Sequence, residues 1–117
     1  MKTYKGSCHC GAIHFTFSSP EIDQGLRCNC SICRRKGAVM SVFLLAPGEI
    51  RIEDKDNSLA TYEFGQHVAK HHFCRKCGIY TFHQSLRKPG YYRINLGCVD
   101  GVDALALPAE VFDGASL

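Results

Sequence analysis

The chemistry of this chain is concentrated in its cysteines. Seven of the eight fall into three tight groups: Cys8-His9-Cys10-Gly11, Cys28-Asn29-Cys30-Ser31-Ile32-Cys33 and Cys74-Arg75-Lys76-Cys77-Gly78. Cys98 stands apart. Two residues between Cys74 and Cys77 let the backbone fold back so that both sulfurs point into one tetrahedron. The glycine that follows permits positive φ and turns backbone N–H groups toward the sulfurs. A C-x-x-C pair is also a thioredoxin-like redox motif, but that motif wants a βαβ setting, which this β-rich sequence does not offer. Cys8 and Cys10, two residues apart, share one face of an extended chain and can reach one ion. A disulfide between them would be badly strained. Each pair supplies half a tetrahedron, and together Cys8, Cys10, Cys74 and Cys77 predict a closed four-thiolate zinc site of structural type.

The middle group supplies three thiolates, Cys28, Cys30 and Cys33, from six residues and no obvious fourth. Closed zinc sites have four protein ligands, whereas catalytic ones keep three and an open position. Three readings fit: an open zinc site, a zinc site closed by Cys98 or a histidine, or an iron–sulfur centre that takes Cys98 as its fourth ligand. In the alternation Tyr92, Ile94, Leu96, Cys98 the last thiol falls on an apolar face, which also suits a buried, inert side chain.

The elements that must position these sulfurs read as β-strands. Ala12 to Ser18 alternates, with Ile13, Phe15 and Phe17 on one face. Val39 to Ala46 is a continuous apolar run closed by Pro47-Gly48. Ile50 to Ile52, Leu59 to Phe64, Val68 to Phe73, Ile79 to His83 and Tyr91 to Val99 follow, separated by Gly, Asp and Asn turns. Helix is confined to single turns, at Ser31 to Arg35 and at Val102 to Leu107 before Pro108. The expectation is one all-β domain over residues 1–117. At 117 residues the chain is long enough to bury a core. It has no apolar run of about 20 residues and no apolar h-region after Met1, so a reducing, cytoplasmic setting without a membrane span is expected. The formal charge of +3 counts the cysteines as neutral. Thiolates on two zinc ions would bring the loaded protein near zero, so nucleic acid is not an expected partner.

The string Gly6-Ser7-Cys8-His9-Cys10-Gly11, then Cys28-x-Cys30-x-x-Cys33, then His72-Phe73-Cys74-x-x-Cys77-Gly78 resembles the glutathione-dependent formaldehyde-activating enzyme (GFA) family over nearly the whole chain. The tail Cys77-Gly78-Ile79-Tyr80-Thr81-Phe82-His83 resembles its centromere protein V-like branch. The resemblance implies a β-tent of antiparallel sheets stapled by zinc. It makes Cys8, Cys10, Cys74 and Cys77 the ligands of a structural zinc, and Cys28, Cys30 and Cys33 those of a second zinc exposed to substrate. It also implies a carbon–sulfur lyase-type reaction joining or parting a thiol such as glutathione and an aldehyde such as formaldehyde. The chain is short beside the formaldehyde-activating members, so segments that would shape a glutathione groove are absent.

A substrate thiol at an open zinc position is deprotonated, and the thiolate is the nucleophile that adds to a carbonyl. Arg34 and Arg35, directly after the trio, could grip a substrate carboxylate, or could form a solvated turn. His71, His72, His67 and His83 are candidates for a general acid, and nothing in the sequence separates them. The alternative from another class is a non-catalytic β domain stapled by two zincs, whose surface, with Tyr91-Tyr92 beside Arg87 and Lys88, docks a protein or nucleic acid.

Overall fold

A computed structural model describes residues 1–117. Its elements in chain order are β1 (Lys2–Ser7), β2 (Ile13–Ser19), β3 (Gly25–Cys28), α1 (Ser31–Lys36), β4 (Ile50–Asp54), β5 (Leu59–Tyr62), β6 (Lys70–Cys74), β7 (Tyr80–Gln84), β8 (Tyr92–Ile94) and β9 (Ala109–Phe112), with short 3₁₀ turns between some of them. Strands β1-β2-β4 form one antiparallel sheet and β5-β6-β7-β8 another. The third sheet is the pair β3-β9, and it is parallel. The protein is therefore an all-β assembly of antiparallel sheets, as the sequence predicts, with this one parallel addition.

Strand β2 behaves as its alternation requires. Ile13, Phe15 and Phe17 are buried and His14 and Ser18 exposed. Phe15 meets Phe82 of β7 edge-on, with ring centroids 5.6 Å apart, and so joins the two antiparallel sheets. Phe17 lies between Tyr4 of β1 at 5.5 Å and Phe43 at 5.8 Å. Ile94, Leu96 and Val99 complete this side of the core. Each such large apolar side chain stabilises the fold by roughly 1.5–3 kcal/mol through burial.

Three expectations give way. Val39 to Ala46 is not one strand: Met40 exchanges backbone bonds with Leu26, Ser41 donates to the Ile94 carbonyl, and Leu45 exchanges bonds with Tyr92. The run is apolar because it crosses the core from β3 to β8, and periodicity cannot tell such a crossing from a buried strand. No helix forms at Val102 to Leu107, where the Asp103 carboxylate accepts the Leu105 N–H at 3.1 Å, a local bond that competes with helix. The strand expected over Tyr91 to Val99 stops at Ile94. Asn95 then accepts the Gly97 N–H at 3.1 Å and starts a 3₁₀ turn over Leu96–Cys98, which ends the alternation that set the expected face of Cys98. Strands β1, β3 and β9 carry no strong local pattern and emerge only from their pairing.

Close packing is tight at Gly6 of β1, which faces Phe15. A Cβ there would fall 2.3 Å from Phe15 Cζ and 2.7 Å from the Cys98 carbonyl. Gly6→Ala is therefore expected to destabilise the protein by about 1–3 kcal/mol through overpacking. Chemical denaturation of the metal-loaded protein measures this, and an unchanged midpoint would count against so tight a contact.

Candidate metal centres

The first sulfur cluster is assembled by two turns. Cys8 and Cys10 lie between β1 and β2, Cys74 ends β6, and Cys77 sits in the turn to β7. All four Sγ atoms lie within 4.8 Å of one another. Cys10 Sγ is 3.7 Å from Cys8 Sγ and 3.6 Å from Cys74 Sγ. A zinc ion with sulfur ligands at about 2.3 Å demands sulfurs about 3.8 Å apart, so the donor set and its spacing fit the ion. The Ile13 N–H points at Cys8 Sγ at 3.4 Å, and Gly78, at φ 79°, closes the second turn by donating to the Cys74 carbonyl at 2.7 Å.

Bare sulfurs so close cannot all ionise. Burial opposes the Cys77 anion, but the backbone N–H groups of Cys10 and Ile79 and the neighbouring sulfurs outweigh it and bring the thiol down to about 6. At Cys10 the Ala12 N–H favours the thiolate, yet desolvation and the other three sulfurs drive the thiol up to about 11. A bound divalent cation would remove this conflict by stabilising every thiolate at once.

The second cluster is held by one element boundary. Cys28 ends β3, Cys30 caps α1 and Cys33 lies in its first turn, with their three sulfurs also within 4.8 Å of one another. Gly37 ends the helix at φ 66° and donates to the Cys33 carbonyl at 3.1 Å. Burial opposes the Cys30 thiolate, but N–H groups at the start of α1 and the sulfurs of Cys33 and Cys28 leave its pKa below the ordinary value. Cys33 is pushed up to about 12 by burial and by its neighbours Cys30 and Cys28, against the pull of Lys36. No fourth cysteine, histidine or carboxylate joins this cluster. Cys98 instead packs against the hydrophobic core with its S–H toward the Tyr80 carbonyl at 3.5 Å, and burial raises it to about 11. Arg34 and Arg35 are exposed on α1, and Arg35 donates to the Ser31 carbonyl of its own helix at 2.7 Å.

The chain's C-terminal segment lies over this trio. The Asn29 amide bonds Asp113 Oδ1 and accepts the Ala115 N–H, both at 2.9 Å. Between them Gly114 approaches so closely that a Cβ would stand 2.5 Å from Cys28 Sγ.

Beside the trio runs a row that sequence reasoning left undistinguished. The registers of β5 to β8 place Tyr62, His71, His83 and Arg93 side by side across the sheet. Lys36, at the end of α1, bonds His71 Nδ1 at 2.7 Å and lies 3.8 Å over the Tyr80 ring. Tyr80 bonds His83 Nδ1, and Arg93 donates to the Ser41 carbonyl at 2.7 Å and to that of Val42 at 3.0 Å. His72 is occupied elsewhere, bonding Thr61 at 2.9 Å and Gln84 at 2.8 Å, which suits a structural role. His67 is exposed. One broad surface concavity lies around Thr16, Phe17 and Arg51 and another around Tyr4, Ile22 and Leu107. Neither includes a cysteine of the two clusters. No helix is long and apolar enough to cross a membrane.

Two outcomes follow from this geometry. Gly114→Ala is expected to displace Cys28 Sγ and lower the metal content of the second cluster while leaving the first loaded. Native mass spectrometry counts both, and an unchanged count would contradict the close approach. Burial and the Lys36 charge hold His71 down to about 4, and burial with Lys36, His71 and Arg93 holds His83 down to about 2. Unfolding lets both bind protons that the fold refuses, so their contribution is full above pH of about 6.5 and is lost as pH falls from there toward those values. The thermal midpoint, followed at constant metal content, is expected to drop below pH of about 6.5, and to drop less steeply in His83→Gln.

Comparison with known proteins agrees with this architecture. A Rhodobacter sphaeroides protein of known crystal structure superposes with a TM-score of 0.79 at 37% identity, over 91% of this chain and 99% of that one. A Halomonas elongata protein provisionally named a glutathione-dependent formaldehyde-activating enzyme is 30% identical over 79 residues, which are 62% of this chain and 50% of that protein. The chain thus spans half the length of that relative. The sequence profile of the glutathione-dependent formaldehyde-activating enzymes matches residues 3–115. The chain belongs to the glutathione-dependent formaldehyde-activating enzyme family.

Proposed function

We propose that the protein is a zinc-dependent enzyme of carbon–sulfur chemistry, one that adds a thiol of the glutathione type to a small aldehyde of the formaldehyde type and reverses the same step. Cys8, Cys10, Cys74 and Cys77 hold a structural zinc, and Cys28, Cys30 and Cys33 hold the zinc at which the thiol is activated. The observation that carries this reading is the incomplete second cluster: three gathered sulfurs, no fourth protein ligand, and a row of nitrogen-bearing side chains alongside. The same geometry argues against closure by Cys98 and against a four-cysteine iron–sulfur centre. When bound, zinc supplies a Lewis acid that lowers the pKa of a coordinated thiol.

The chain's own residues supply the rest. The β3–α1 boundary fixes the three sulfurs, and N–H groups of α1 favour the anionic form of Cys30. Arg34 and Arg35, exposed one turn beyond, offer donors to the carboxylates of a glutathione-like thiol. The family membership supports the substrate classes. The gathered unpaired cysteines suit a reducing compartment such as the cytoplasm. Addition of a thiol to formaldehyde is an easy reaction, so proximity and thiolate activation are enough to give a useful acceleration.

The test is the rate of thiol–aldehyde exchange followed by NMR at equilibrium. Acceleration by the zinc-loaded protein is expected, with loss of at least about tenfold in Cys30→Ser while the first cluster keeps its zinc. Zinc loading at both clusters with no acceleration of any thiol–aldehyde pair would instead favour a stapled binding domain.

A further inference from the structure

Lys36 is an unusual lysine. The chain's ion pairs join Arg51 to Glu53, Lys70 to Glu63 and Lys76 to Asp56, and none of them includes it. Its amine instead meets a neutral imidazole at 2.7 Å and the face of Tyr80 at 3.8 Å. An ammonium only donates, so His71 Nδ1 is the acceptor and its proton resides on Nε2. That Nε2 is buried and has no hydrogen-bond partner, in a side chain 6% exposed. A buried donor without a partner is costly, and it belongs to the side chain whose other ring nitrogen holds Lys36.

We infer that Lys36 is the proton carrier of the thiol–aldehyde reaction, with His71 as its positioning residue; this rests on the reading proposed above. The groups around the amine are the thiols of Cys28, Cys30 and Cys33 at the β3–α1 boundary, His71 and His72 on β6, and Tyr80 and His83 on β7, with Arg93 of β8 next to His83. Burial without a carboxylate partner disfavours the Lys36 ammonium, which suits a group that must both give and take a proton.

The step balances without any further reagent. The thiolate sulfur attacks the carbonyl carbon, a carbon–sulfur bond forms, and the π pair of the carbonyl moves to oxygen. That oxygen takes a proton from Lys36 Nζ and becomes the hydroxyl of the hemithioacetal. The neutral amine is recharged by the proton that the next thiol releases on becoming a thiolate at the trio. Lys36 thus moves one proton from sulfur to oxygen, and in reverse from oxygen to sulfur.

The experiment compares wild type, Lys36→Met and Lys36→Arg, each zinc-loaded, for glutathione binding by calorimetry and for exchange between glutathione and formaldehyde by NMR. Arginine keeps the charge but does not give up its proton. Both variants are expected to keep glutathione affinity within about threefold and to lose turnover by about 100-fold, the low end of what a positioned proton donor contributes. Small primary amines added to the medium are expected to restore turnover in Lys36→Met, and His71→Asn is expected to shift the pH profile of turnover while retaining part of the rate. Wild-type turnover in Lys36→Arg, or a loss in Lys36→Met that lies wholly in glutathione affinity, overturns the proton role while leaving the thiol–aldehyde reading intact. Absence of any acceleration over the spontaneous exchange in wild type overturns both.

Discussion

The constraint on which this fold depends is the approach of four sulfurs from distant parts of the chain. Cys8 and Cys10 come from the first β-turn and Cys74 and Cys77 from the turn between β6 and β7, yet all four Sγ atoms lie within 4.8 Å. Thiolates at this distance repel, and thiols give up little by separating, so nothing in the sulfurs themselves holds the turns together. A divalent ion reverses the sign of the interaction. It would join the three-stranded sheet to the four-stranded sheet just where Phe15 and Phe82 make their edge contact. For a chain of this size, burial leaves only a modest surplus over conformational entropy, and a metal clip of this kind makes a large difference.

The second cluster depends on that arrangement. Its sulfurs are local, but what surrounds them is not. Lys36 comes from α1, His71 and His83 from the middle of the four-stranded sheet, and Gly114 from the far end of the chain. Only the packing of α1 and the β3-β9 pair against that sheet brings the three sources together. The rigid antiparallel ladder holds the imidazoles while the short helix presents the sulfurs, a division that lets the site be both ordered and accessible.

How much of this could be read in the sequence depended on the range of each signal. The cysteine spacings are local, so both clusters and their four-plus-three division were legible before any coordinates. The alternation at Ile13, Phe15 and Phe17 was equally plain. Cys98 does lie against the apolar core as its place after Ile94 and Leu96 suggested, although Asn95 starts a 3₁₀ turn there, and it does not join the sulfur trio as a fourth ligand. The pairing of β3 with β9 joins segments more than 80 residues apart, and no period in either announces it. His71 and His72 look alike as neighbours in sequence. Only the register of β5 to β8, including the irregularity between His72 and Phe73, shows one beside the sulfur trio and the other bonded to Thr61 and Gln84. Lys36, the most consequential residue that went unread, was one basic side chain among three in a run.

The proposed chemistry requires two metal ions in unequal sulfur environments, one closed and one open. X-ray absorption at the zinc edge, on wild type and on Cys30→Ser, measures this directly. An average of three and a half sulfurs per zinc at about 2.3 Å is expected in wild type, with a lighter ligand completing the second site, rising to four sulfurs in the variant that retains only the first. Four sulfurs per zinc in wild type would mean that the second site is closed by a further cysteine, and would contradict the open centre on which the proposed chemistry stands.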